Sequence, residues 1–154
     1  MTGDAAPVAP RLHHVGAFVE DFERAVAFHR NAFGADLLKE TSLDDALRIA
    51  FMRLPSHEVH LLSREARGIP ADEILDELEP YRCHVAYQVA DVRAAIEAVR
   101  AAGGEMFHDS PVPAELRPWK RAFSQPGATP GPPFELLEQV GEEPEPFRID
   151  EGLR

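Results

Sequence analysis

A repeat with an offset of 70 residues constrains this chain more than any other feature. His14-Val15-Gly16-Ala17-Phe18-Val19-Glu20-Asp21 returns as His84-Val85-Ala86-Tyr87-Gln88-Val89-Ala90-Asp91, and downstream Ala25 pairs with Ala95, Val26 with Ile96 and Gly34 with Gly104. Each copy reads as a histidine, a short apolar strand, an aspartate suited to cap a helix, about three turns of amphipathic helix, and a glycine that ends it. A repeated fold element explains the apolar pattern. It does not require a histidine at the same strand position twice, and that pair is the first sign of a shared chemical site.

The first copy is expected to hold a strand at Leu12–Val19, a helix at Phe22–Phe33 and three strands near 35–41, 46–54 and 57–63. Ile69 to Leu78 predicts a short acidic connecting helix with Pro70 near its start. The second copy starts at Cys83. Its helix runs from the Asp91 cap to Ala102, stopped by Gly103-Gly104. Strands follow near 105–108, at Trp119–Ser124 and at Phe134–Gln139, with a Pro-rich loop over 109–118. Each copy is thus a strand, a helix and three strands, which makes the fold class α+β. The expected organisation is a disordered arm at 1–10, one domain at 11–140 (modules 11–63 and 83–140, connector 64–82) and an acidic tail at 141–154.

Composition excludes several classes. The net charge of −11 argues against nucleic acid as a partner. The single cysteine, Cys83, forbids an intramolecular disulfide, fits a reducing compartment and is expected to be a small buried residue. The N-terminus lacks the basic start and apolar run of a signal peptide, and no apolar stretch reaches the roughly 20 residues that span a bilayer. The expected location is the cytoplasm, with no membrane contact.

Side chains alternate along a strand. His14 therefore shares a face with Gly16 and Phe18, and His84 with Ala86 and Gln88. The last strands also correspond, Val59-His60-Leu61-Leu62 with Phe134-Glu135-Leu136-Leu137, so His60 and Glu135 occupy one position of the repeat. His14 to His60 is 46 residues and His84 to Glu135 is 51, the excess falling in the Pro/Gly loops of the second copy. If both copies fold alike, His14, His60, His84 and Glu135 converge by pseudo-symmetry. Three imidazoles and a carboxylate suit a divalent ion of borderline softness: Zn, Fe, Co, Ni or Mn.

The chain resembles the vicinal oxygen chelate superfamily of glyoxalases, extradiol dioxygenases, bleomycin and fosfomycin resistance proteins and methylmalonyl-CoA epimerases. The resemblance covers about residues 11–140 and rests on Leu12-His13-His14-Val15-Gly16 with Asp21, His84-Val85-Ala86 with Val89-Ala90-Asp91, and Arg121-Ala122-Phe123 with Pro126-Gly127 and Phe134-Glu135-Leu136-Leu137-Glu138. The layout, acidic insert included, looks most like the epimerase branch. The resemblance implies two βαβββ modules forming a cupped mixed sheet around a metal site, with His14, His60, His84 and Glu135 at the ligand positions. The sequence departs from the family at His60, where epimerases and glyoxalases usually carry Gln or Glu.

Such a site implies a substrate with two adjacent oxygens, chelated while an enolate forms. An epimerase of this kind also needs a base. Asp44, just before the third strand, is the candidate and Asp45 the runner-up; the family also allows Glu135 to serve as both ligand and base. Arg48, Arg53, Lys120 and Arg121 are candidate anchors for an acidic substrate, with Arg48 and Arg121 best placed, and Gln88 faces the His84 side. A homodimer is implied by the family. Two alternatives share the fold: a glyoxalase-type lyase or Fe(II) dioxygenase, and a metal-free drug-binding resistance protein. The four donor positions argue against the last.

Overall fold

The computed structural model describes residues 8–43, 45–65, 72–114 and 116–142. One compact unit holds His14–Cys83; the other holds the described residues before His14 together with those from His84 onward.

The first module runs β1 (Arg11–Phe18), α1 (Phe22–Phe33), β2 (Asp36–Leu43), β3 (Leu47–Arg53) and β4 (Glu58–Arg64). Its strands lie in the order β2-β3-β4-β1, with β1 and β4 parallel and the other pairs antiparallel. The helix starts where Asp21 accepts from the Arg24 N–H at 3.1 Å. It stops at Gly34, whose φ of 66° is left-handed backbone that favours glycine. Phe22 and Val26 of α1 bury against Ala50, Met52 and Leu61. These sheet residues share one face of β3 and β4, so the helix covers that face.

Among the described residues the connector is α2 (Asp72–Leu78), followed by a single 3₁₀ turn at Glu79–Tyr81. Leu75 and Leu78 are buried. Arg64 at the end of β4 holds the segment, donating to Asp76 and Glu79 at 2.8 Å each.

The second module repeats the order: β5 (Cys83–Gln88), α3 (Val92–Ala101), β6 (Val112–Pro113), β7 (Trp119–Phe123) and β8 (Phe134–Gln139). Its strands lie in the order β5-β8-β7-β6, with β5 and β8 parallel. Asp91 caps α3 by accepting from the Ala94 N–H at 3.2 Å, and Glu138 accepts from the Val92 N–H at 3.0 Å. Val92, Ala95 and Ile96 pack on Ala122, Leu136 and Val89, with Val8 partly buried against the same cluster. A Cβ at Gly104 would lie 2.7 Å from a Val99 methyl carbon, so this glycine is required by space where Gly34 is required by φ. Among the described residues no helix is long and apolar enough to cross a membrane.

The α+β class and the strand–helix–three-strand order of both modules are present. Three local expectations fail. The strand expected at 105–108 is only an isolated bridge, Met106 to Ser124. The Glu105 N–H there donates to the Thr129 hydroxyl, and the Glu105 carbonyl accepts from that hydroxyl and from the Gln125 N–H. The edge of this half-sheet is formed instead by β6, which lies inside the expected loop and pairs with Arg121 and Lys120 for two residues only. Pro111 and Pro113 lack the N–H that would extend it. Cys83 is exposed, because it is the first residue of β5 and alternation turns it away from the side on which His84 and Ala86 are buried.

The caps give a direct test. Asp21→Ala and Asp91→Ala are each expected to cost about 1 kcal/mol in urea unfolding. Loss of under a few tenths of that from Asp21→Ala would deny the cap its role.

Candidate functional site

The repeat extends to hydrogen-bond register. In the first module Val15 pairs with Val59 and Gly16 with His60; in the second, Val85 pairs with Phe134 and Ala86 with Glu135. Each first histidine therefore stands two residues before the partner of the second donor. Period-two alternation puts both on one face of the half-sheet, opposite the helix.

In the first unit this face carries His14, Glu58 and His60, all buried. The His14 and His60 rings stack, with centroids 3.7 Å apart and planes 18° from parallel. Phe51, the cross-strand partner of His60, meets its ring edge-on at 4.7 Å. The Nε2 of His60 lies 2.9 Å from a Glu58 carboxylate oxygen. Glu58 has no place in the expected site. The turn before β4 closes where the Leu54 N–H donates to the His57 carbonyl at 2.8 Å. Glu58 is already in β4. The alternation that puts His60 inward puts Glu58 inward too, and that is the signal that would have found it.

In the second unit the corresponding face carries His84, Ala86, Gln88, Glu135, Leu137 and Arg121. The His84 Nε2 and a Glu135 oxygen are 3.6 Å apart, and the other Glu135 oxygen is 3.4 Å from an Arg121 nitrogen. The His84 ring sits edge-on to Phe123 at 5.3 Å. Ala86, buried with Leu137 and Trp119, floors this half. The Nε of Arg121 is buried with no hydrogen-bond partner among the described residues. An orphaned buried donor costs about 1–3 kcal/mol, so a ligand oxygen that satisfied it would recover that energy.

Other expected residues fall elsewhere. Arg48 lies on the helix face, 4.2 Å above the Phe22 ring, with ion pairs to Glu23 at 2.7 Å and Glu40 at 3.2 Å. Hydrogen bonding to Glu23, reinforced by the Glu40 charge, raises its pKa above the ordinary arginine value. It is therefore not brought to the histidines. Asp44 lies outside the described residues. Asp45 is an exposed turn residue with φ 55°, a conformation aspartate tolerates better than most side chains. Arg53 and Lys120 are exposed, and Lys120 alternates away from the Arg121 face.

Residues 11–114 match the family described as Glyoxalase/Bleomycin resistance protein/Dioxygenase superfamily. An ethylmalonyl-CoA/methylmalonyl-CoA epimerase of Cereibacter sphaeroides is 31% identical over 99 residues, which are 63% of this chain and 74% of that protein. A 2-epi-5-epi-valiolone epimerase of an Actinomyces species is 29% identical over 172 aligned positions covering 91% of each. Among solved structures, methylmalonyl-CoA epimerase from Mycobacterium tuberculosis superposes with a TM-score of 0.69 at 20% identity, over 91% of this chain and 95% of that one.

Proposed function

For a chain that belongs to the Glyoxalase/Bleomycin resistance protein/Dioxygenase superfamily, we propose an epimerase that moves a proton at a carbon next to a carbonyl and uses one divalent metal ion. The observation that carries this reading is the shared register, which gives each module a histidine and a second donor at the same two places. The two sequence relatives support the reaction type, since both are named epimerases although their substrates differ.

We assign His14, His60, His84 and Glu135 to the ion. The chemistry of the set fits. Two imidazoles with one carboxylate, or three imidazoles with one carboxylate, match Zn, Fe, Co, Ni or Mn. The ion, when bound, supplies positive charge beside a carbonyl oxygen as that oxygen gains electrons.

The remaining work falls to side chains. Arg121 offers its orphaned Nε–H, and Gln88 its amide, to a carboxylate or carbonyl of the substrate. Glu135 or Asp44 takes the α-proton, and its return to the other face of the carbon completes the inversion. The substrate class is a small acyl compound with two adjacent oxygens, and 2-substituted malonyl thioesters are the first to try. A homodimer is part of the proposal.

The test begins with metal analysis of the protein as purified. The metal-loaded protein is then incubated in D2O with 2-substituted malonyl thioesters and with 2-hydroxy and 2-keto acids. Deuterium wash-in at the α-carbon without oxygen consumption is the expected result. Turnover that strictly needs Fe(II) and O2 would overturn it. That outcome would favour the two-histidine, one-carboxylate oxygenase reading, which the engagement of His60 Nε2 by Glu58 keeps open.

A further inference from the structure

We propose that Arg121 is a specificity-determining residue, which limits the ligand of this face to molecules that carry a free carboxylate. The inference deepens the epimerase reading and rests on it for what the face receives.

The repeat supplies the comparison. Phe51 pairs across the strands with His60, and Phe123 with Glu135; two residues earlier, Ile49 pairs with Leu62 and Arg121 with Leu137. Arg121 therefore stands at the address that holds Ile49 in the first module. Ile49 is buried there, as Leu62 is. An aliphatic side chain suits this address, so the fold has no need of a cation. In the second module the guanidinium leaves the strand between Trp119 and Phe123 and opposite Leu137, all of them buried. Placing a charge among such neighbours costs desolvation that packing does not return.

The cation is also poorly satisfied. Arginine carries its N–H donors in a planar fork. Among the described residues its one hydrogen bond runs from Nη1 to Glu135 at 3.4 Å. A charge-assisted bond is ordinarily about 2.7–2.9 Å, so this contact is slack. Nε is buried without a partner. Nε and Nη2 form the side edge of the fork, which takes a carboxylate through two parallel bonds. The side chain is 27% exposed, so the residue is reachable although Nε itself is not wetted. A ketone or alcohol oxygen would give that edge no charge. A carboxylate gives it two acceptors and a counter-charge, where Glu135 stands also within 3.6 Å of His84.

The experiment uses the full chain as purified. The Nε–H resonance of Arg121, assigned by its loss in Arg121→Lys, is followed in 1H–15N spectra. The ligands are 2-methylmalonate, its neutral dimethyl ester, and coenzyme A, which bears phosphates and no carboxylate. A saturable downfield shift with methylmalonate alone is expected. Arg121→Lys keeps the charge and loses the fork. Arg121→Ile places in the second module the side chain that the first already holds. Both should keep the far-ultraviolet spectrum of the folded chain. Both should weaken methylmalonate binding about 10- to 100-fold in isothermal titration.

An equal shift with the dimethyl ester or with coenzyme A would overturn the assignment, and so would no shift at all or wild-type affinity in both folded variants. Deuterium wash-in that runs as fast with the methyl ester of a 2-methylmalonyl thioester as with the free acid would overturn it and leave the epimerase reading intact. An acid-selective shift without any wash-in would support Arg121 as the carboxylate anchor and overturn the epimerase reading alone.

Discussion

Replacing His84 by alanine is expected to lower divalent metal affinity by at least about 100-fold and to remove activity with it, while the far-ultraviolet spectrum stays that of the folded chain. The donor face and the core beneath α3 are separate in this module. His84 lies on the face with Ala86 and Glu135, whereas Val92, Ala95 and Ile96 bury against the other face with Ala122 and Leu136. Losing the imidazole therefore deletes a donor without opening the core beneath α3. Isothermal titration with Zn(II) and urea unfolding measure the two halves of this expectation. A variant that unfolds outright would make the ion a structural one. A variant that keeps full affinity would remove His84 from the ligand set.

Glu135→Gln is expected to lower α-proton exchange by about 10²- to 10⁴-fold, the range lost when a positioned acid–base group is removed. Glu135 is buried, with His84 and Arg121 against its two oxygens. The amide keeps an oxygen for the ion but cannot take a proton. The paired control is Asp44→Asn. If exchange survives in Glu135→Gln and fails in Asp44→Asn, the proton belongs to Asp44 and Glu135 is a ligand only. If both variants exchange at the wild-type rate, neither is the base and the proposed proton route is wrong.

Much of this was legible before any coordinates. The 70-residue repeat carries the module order, and the two capping aspartates mark both helix starts, because a side-chain cap is a local interaction written in adjacent residues. The last strand, Phe134–Gln139, was legible for the same reason, as it follows a run of turn-forming Pro and Gly. The misses share a different cause. Segment 105–108 meets the end of β7 through one bridge only, and the Glu105 N–H goes to the hydroxyl of Thr129, more than twenty positions away. Arg48 looked like an anchor because its charge is visible in the sequence. Its partners Glu23 and Glu40 come from a helix and a neighbouring strand, and only the register of β3 shows that it leaves the sheet on the helix side. Glu58 falls inside the strand expected at 57–63 and shares the His60 face, but a glutamate at a strand's start is ordinarily solvated, and its burial is a property of the packed sheet.

The opposition of a donor face and a helix face within each half-sheet bears on how such a chain can diverge. Inherited changes beneath α1 or α3 are filtered for folding, because those side chains fill the space between helix and sheet. On the proposed assignment, changes at His14, His60, His84 or Glu135 are filtered for chemistry. Selection can therefore act on one face with little penalty on the other, and a lineage can exchange the residue at a single strand position, as histidine stands here at residue 60, without first rebuilding the protein that carries it. A duplicated module adds latitude, since two copies of one scaffold are free to acquire different donors at the same address, and His60 and Glu135 are such a pair.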